Sequence, residues 1–260
     1  MALRIGNAPV SFGAWSLDAA RGPGVPPPER VLEALAAAGY DGTELGPVGY
    51  FGDGTSIAAH GLVLSGGYVP IPFGDGFGPL DETLDLFERV EPTARPILAD
   101  DGDASQPLDF DDVARAVAHV RTRGFEPTFH HHMGTRVETE ADIERLLDRV
   151  DVPLLLDSGH LLAAGSDPVD AFRRWRDRID YVHVKDVALQ VLRDAPDWPA
   201  AWRSGVFCEL GTGDLDVRAF LAELDGFHGW VVVEQDWVAG PGDDPEQQIA
   251  AQARNRRWLP

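Results

Sequence analysis

Residues 152–186 read "VPLLLDSGHLLAAGSDPVDAFRRWRDRIDYVHVKD", and the pattern changes character twice along their length. "VPLLLD" (152–157) is a short apolar run closed by a carboxylate, the length and composition of a buried strand. "DPVDAFRRWRDR" (167–178) is amphipathic and opens with Asp and Pro, residues that suit a helix N-terminus by capping or by a preset backbone angle. "YVHVKD" (181–186) is again a short strand. Strand, helix, strand is the unit from which helix-covered parallel sheets are built.

The alternation extends in both directions. Candidate strands are 3–12, 42–45, 62–69, 95–100, 126–132, 152–157, 181–186 and 230–235. Helical patterns lie at "PPERVLEALAAAG", "DETLDLFERV", "DFDDVARAVAHVRTRG", "TEADIERLLDRV", "DPVDAFRRWRDR", "DVRAFLAEL" and "DPEQQIAAQARNRRWL". The glycine-rich stretch 46–61 has room for only a short helix. Eight strands alternating with helices over 260 residues predict an α/β fold, a (β/α)8 TIM barrel. No compositional break marks a linker, so residues 1–260 are read as one domain. A doubly wound open sheet is the alternative, but no "GxGxxG" follows an early strand. The long connection 187–213 belongs at the barrel face where active sites form. Its Trp198 and Trp202 either close over a ligand or, more simply, pack the loop down.

Composition narrows the function classes. No run of about 18 apolar residues is present, and the N-terminus has no basic patch followed by an apolar stretch. Cys208 is the single cysteine, so a disulfide framework and a multi-cysteine zinc site are both excluded. A cytoplasmic protein without a membrane partner is expected. The formal net charge of −21 repels phosphate backbones and argues against nucleic acid. Of the 22 basic residues only Lys185 is lysine, which suggests a position needing a compact ammonium.

In a barrel of this kind, functional side chains sit at the C-terminal strand ends. Those ends carry Glu44, Asp100, His130, His132, Asp157, His160, His183, Lys185, Asp186, Glu234 and Asp236. Alternation puts His130 and His132 of "TFHHHMG" (128–134) on one face and His131 on the other, towards the helices. His183 and Lys185 likewise share a face. A set drawn from His130 or His132, Asp157, His183 and Glu234 mixes imidazole with carboxylate. Such a set suits a divalent metal, manganese, cobalt, zinc or iron, and magnesium less well. The competing reading makes Asp157 and Asp186 caps of the following segments and the histidines hydrogen-bonded core residues.

"FHHHMGTRVETEADIERLL", "LLLDSGHLLAAGSDP", "YVHVKDV", "ELGTGDLD" and "WVVVEQD", with "NAPVSFGAW" and "GTELGPVGY" before them, resemble the inosose dehydratase group of the xylose isomerase-like barrels. The resemblance implies a divalent metal, manganese or cobalt ahead of the others, held from the fifth to eighth strands. It assigns ligand roles to Asp157, His183 and Glu234. Many relatives carry glutamate at the strand-five position; here His130 aligns with it, and His132 becomes a neighbouring or substrate-contacting residue, the two being exchangeable. The missing carboxylate argues against a two-carboxylate proton shuttle.

A metal that binds a ketone oxygen and a neighbouring hydroxyl stabilises the enediolate left when an α-proton departs. Lys185, with a pKa depressed by the metal, Glu44 and His132 are the candidate bases; His160 or His132 is the candidate acid for loss of a β-hydroxyl. The expected activity is dehydration of a keto-cyclitol or keto-sugar, with sugar isomerisation or epimerisation at the same site as the alternative. A non-catalytic sugar-binding barrel and a nuclease relative rank below both. A phosphorylated substrate would call on Arg136 or the glycine-rich stretch 65–78; an unphosphorylated polyol is the simpler expectation. A homodimer is compatible with such a barrel, and the sequence marks no interface.

Overall fold

The computed structural model describes residues 3–71, 76–102 and 105–260. The barrel strands are β1 (Arg4–Asn7), β2 (Gly42–Glu44), β3 (Val63–Pro70), β4 (Arg95–Ala99), β5 (Thr128–His130), β6 (Leu154–Asp157) and β7 (Ile179–Val184). A two-stranded antiparallel sheet, β8 (Asp186–Val187) and β9 (Phe207–Cys208), intervenes before the last barrel strand, β10 (Trp230–Val233). β1 to β7 follow one another around the barrel, and β10 closes it between β7 and β1, with every pairing parallel.

Side-chain alternation sorts the strands into two cores. Outward residues such as Leu98, Phe129, Leu154, Leu156, Val182, Val184, Val231 and Val233 pack in the large layer shared with the surrounding helices. Ile97, Leu155, Tyr181, Trp230 and Val232 fill the barrel interior with Ala8. Since period two continues past the apolar residues, Asp157, His183 and Glu234 follow Leu155, Tyr181 and Val232 on the inner face. Register then sets neighbours side by side: Asp157 pairs with His183 across β6 and β7.

Several expected strands are shorter. The 3–12 stretch pairs only to Asn7, because Pro9 has no N–H for the ladder and Pro9–Phe12 turns as a 3-10 helix. The 126–132 stretch pairs only over Thr128–His130; beyond it the His132 N–H donates to the Val137 carbonyl in a turn. The short helix of stretch 46–61 is Thr55–Ala59. Connection 187–213 holds helices Leu189–Asp194 and Trp198–Arg203, packed with Val187, Val206 and Phe207 into a small core of its own. Among the described residues, no helix is long and apolar enough to cross a membrane.

Candidate active site

At the C-terminal ends of the barrel strands lies a cavity of about 660 Å³. Glu44, His130, His132, His160, His183, Lys185, Glu234 and Asp236 all line it. Asp157 is fully buried beside them.

Lys185 is the electrostatic centre. Its Nζ lies 3.1 Å from Asp157 Oδ2, 2.9 Å from Glu234 Oε2 and 2.9 Å from Asp236 Oδ2. His160 Nε2 is 3.2 Å away, and the ammonium sits over the Phe207 ring, 4.7 Å from its centroid. Gly159 makes room for this stem: a Cβ there would meet Lys185 Cβ, Cγ and Cδ at 2.7–2.9 Å. Ser158 fixes the backbone, its Oγ accepting from the Lys185 N–H and donating to the Lys185 carbonyl. Burial disfavours the charged ammonium, but Asp157, Asp236 and Glu234 outweigh burial and hold its pKa well above the usual lysine value. The depression expected for Lys185 is tied to the charge of a bound metal; the protein's own groups act in the opposite direction, because three carboxylates surround the ammonium.

His183 is held from both nitrogens. Nε2 lies 2.7 Å from Glu44 Oε1, while Nδ1 faces Glu234 Oε2 at 3.0 Å and Asp157 Oδ2 at 3.4 Å. Glu44 in turn accepts from the Tyr181 hydroxyl at 3.0 Å. His183 donates from Nε2 to Glu44, the arrangement by which a carboxylate orients an imidazole, and Nδ1 is left facing Asp157 and Glu234. Glu44, expected as a base, is thus placed to orient His183. Burial works against the imidazolium, yet Glu234, Glu44 and Asp157 hold the His183 pKa well above normal. Asp157 is resisted by burial and held well below the usual carboxylate range by Lys185, His160 and His183; Glu234, under the same opposition, falls to about 2. Asp236 goes the other way, to about 6, because burial and neighbouring carboxylates exceed the pull of Lys185.

The remaining imidazoles form a second layer. The His132 and His160 rings lie 3.7 Å apart, and His130 is 5.1 Å from His183, centroid to centroid. His132 Nδ1 is 2.7 Å from the Met133 carbonyl, which makes Nδ1 the donor and Nε2 the acceptor. Burial lowers the pKa of His130, His132 and His160.

The residues fit a divalent metal. His130 Nδ1 is buried with no hydrogen-bond partner, and Asp157 Oδ2 has no directed hydrogen bond. Donor atoms of His130, Asp157 and His183 lie within 4.8 Å of one another, as do those of Glu44, His183 and Glu234 and of His130, His132 and His160. Two imidazoles and two carboxylates are a borderline donor set suited to first-row transition ions.

Other strand-end residues hold structure together. Asp100 is fully buried against Arg136, whose Nη2 and Nε donate to its oxygens at 2.5–3.1 Å. Arg136 is thereby committed to Asp100, and no arginine is among the residues lining the cavity. Residues 72–75 of the glycine-rich stretch lie outside the described residues. Asp186 accepts from the backbone N–H groups of Val187, Gly211, Gly213 and Leu215, tying down the "ELGTG" loop. Asp157 does cap the following helix, accepting at Oδ1 from Gly159 and His160 N–H, while Oδ2 faces Lys185. His131 is buried away from the cavity and does more than pack: its Nε2 accepts from the Asp157 N–H at 3.1 Å. Trp198 and Trp202 both pack the connection and line the cavity.

Sequence reasoning missed Tyr181, although period two in "YVHVKD" puts it on the face of His183 and Lys185. It also missed a buried amide network: Gln252 contacts Asn7 and Gln235, which stands between Glu234 and Asp236. The signal was available in the last helix, Pro245–Arg256, whose buried positions include Gln248, Gln252 and Asn255.

The family model for xylose isomerase-like TIM barrels matches residues 101–259. An inosose dehydratase from Geobacillus kaustophilus is 32% identical over 275 residues, covering 90% of this chain and 87% of that protein. One from Lacticaseibacillus casei is 37% identical over 126 residues, covering 45% of this chain and 42% of that protein. Among solved structures, a probable 3-DHS dehydratase from Bacillus anthracis superposes with a TM-score of 0.73 at 14% identity, covering 96% of this chain and 97% of that one. At that identity the likeness concerns the fold alone.

Proposed function

Given that this chain belongs to the xylose isomerase-like TIM barrel family, we propose that it is a divalent-metal-dependent lyase dehydrating a keto-cyclitol or keto-sugar. The observation that carries this reading is the convergence of His130, Asp157, His183 and Glu234 beside Lys185 at one end of the cavity. The similarity to inosose dehydratase supports the substrate class.

His130, Asp157, His183 and Glu234 would hold the metal, which when bound supplies Lewis acidity to a ketone oxygen and its neighbouring hydroxyl. Glu44 and Tyr181 keep His183 turned towards Asp157 and Glu234. His132, with Nδ1 committed to Met133, takes the α-proton at Nε2. The electron pair left on the substrate forms the enediolate and then expels the β-hydroxyl, which departs as water with a proton from the Lys185–His160 pair. One C–H and one C–O bond break, one C=C bond forms, and one proton is taken for each one given. With an imidazole in place of a carboxylate at the end of β5, a two-carboxylate shuttle lacks a member, which favours elimination over epimerisation.

The test is elemental analysis of untagged protein together with NMR of quenched reactions in D2O containing an inosose or a ketose. About one transition metal per chain, lost in Asp157→Ala, and an unsaturated product formed at the expense of water are expected. Deuterium entering next to the ketone with an isomer or epimer as product would move the assignment to isomerase. No metal retained after supply of manganese or cobalt, and no turnover, would leave a non-catalytic sugar-binding barrel.

A further inference from the structure

The cavity is too large and too unevenly lined for a single polyol ring. Its 660 Å³ holds the volume of about 22 waters at ~30 Å³ each. A six-carbon ring with six oxygen substituents has only twelve heavy atoms, and covalently joined atoms pack more tightly than separate waters. Half or more of the space is left once such a ring sits at the polar floor.

That remaining space lies at the mouth, on the side of β1 and β2. Pro9, Val10, Ala14, Trp15, Pro47 and Val48 form its wall. Trp15 is 48% exposed and Val48 40%, whereas His130, His183, Lys185 and Glu234 are 5% exposed or less, so Trp15 and Val48 stand at the rim and the charged cluster at the floor. Across the rim, Trp15 meets Trp202 of the β7 connection edge-on, with centroids 5.4 Å apart. Trp202 is fixed in turn by donation from its Nε1 to the Asp236 carbonyl at 3.2 Å. Ser16, also on this wall, already accepts from the Ala19 N–H.

We infer that the mouth is a second subsite, built from Trp15, Pro47, Val48 and Trp202, that takes a flat apolar ring attached to the sugar: the substrate is a keto-sugar bearing an aromatic substituent. The inference rests on the reading that the floor receives the keto-sugar ring. A second sugar on the β1 and β2 side would meet proline, valine and alanine, and its hydroxyls would have to turn to water or to Tyr68 and Asp101 elsewhere in the lining. An aromatic ring loses nothing there and gains edge and face contacts with two indoles.

The experiment measures binding, not turnover, so absence of catalysis, which would sink the dehydratase reading, leaves it intact. Dissociation constants are measured by calorimetry for phenyl β-D-glucoside, methyl β-D-glucoside and a glucose disaccharide, with the wild type, Trp15→Ala and Val48→Asp. Phenyl glucoside should bind at least about fivefold tighter than methyl glucoside, in keeping with one aromatic contact. That ratio should fall towards one in both variants, which alter half-exposed rim positions and should keep the wild-type circular dichroism spectrum. A ratio near one in the wild type, a ratio unchanged in both variants, preference for the disaccharide, or no measurable binding of phenyl glucoside would each overturn the inference.

Discussion

The two sides of the barrel mouth are built on opposite terms. On the side of β5, β6, β7 and β10, each strand ends at a buried ionisable group, and Asp157 and Glu234 are each tied to His183 and to Lys185 while His130 lies beside them. On the side of β1 and β2 the loops present Pro9, Ala14, Trp15, Pro47 and Val48, with Glu44 the one charged group reaching across to His183. The first arrangement concentrates field where water is excluded and electrostatic interactions are strong. The second supplies surface without charge. The strand ends that carry charge thus divide the mouth into a polar half and an apolar half.

The largest expected effect breaks the charged side at its centre. Lys185→Met leaves Asp157, Glu234 and Asp236 without their shared cation, and loss of one partner from a buried ionic cluster costs about 3–5 kcal/mol. Denaturant unfolding of metal-free protein reads this directly. Added manganese should restore more stability to the variant than to the wild type, since it brings positive charge to the same carboxylates. A loss under about 1 kcal/mol would mean that the cluster is relieved by solvent and is not the tight unit described.

Next in size is the carboxylate that reaches from one side to the other. Glu44→Gln keeps the shape but weakens the hold on His183 Nε2, and partners of this kind typically contribute 10- to 100-fold to metal affinity. Titration with cobalt, followed by its visible absorption, gives the affinity. Unchanged affinity would return Glu44 to the role of free base and leave His183 oriented by β7 alone.

The charged side was also the more legible in sequence. A carboxylate or imidazole at the end of an apolar run has few readings, and period two fixes which way it points; that reasoning singled out His130 or His132, Asp157, His183 and Glu234, and donor atoms of His130, Asp157 and His183 do lie within 4.8 Å of one another. The barrel followed from the same alternation. What stayed hidden depends on partners far apart in the chain. The Asp100–Arg136 pair, the bond from the Asp157 N–H to His131 and the clasp of Asp186 on Gly211 and Gly213 are strand-end groups turned to structural use. No local pattern distinguishes them from site residues. Trp15 and Val48 were invisible for the converse reason: an apolar residue in a loop carries no signal until the fold shows what it faces.

Asp100 tests the boundary between the two kinds of strand end. Burial raises its pKa, but Arg136 and the N–H groups of Gly102 and Arg136 outweigh burial and hold it below the ordinary aspartate value. A depressed folded pKa means that the pair's stabilisation is fully present above the unfolded value, near 4, and is lost as pH falls through the folded one. Asp100→Asn should therefore be less stable than wild type by about 1.5–3 kcal/mol at pH 7. The gap between the two unfolding curves should close below about pH 4. A gap that stays constant into acid would show that the Asn variant fails through packing, not through loss of the ion pair.

The smallest effect is predicted for the apolar rim, and its smallness is what matters. Val48 is 40% exposed on a loop between β2 and the short helix Thr55–Ala59, so Val48→Ala removes two methyl groups that are only partly covered. Surface changes of this sort stay within about 0.5 kcal/mol. A rim that contributes nothing to stability yet keeps tryptophan, valine and proline facing a cavity has its apolar surface available for a ligand. A cost of 2 kcal/mol or more at Val48 would instead mean that the residue packs against structure, and the contrast between the two sides would become one between a charged site and ordinary core.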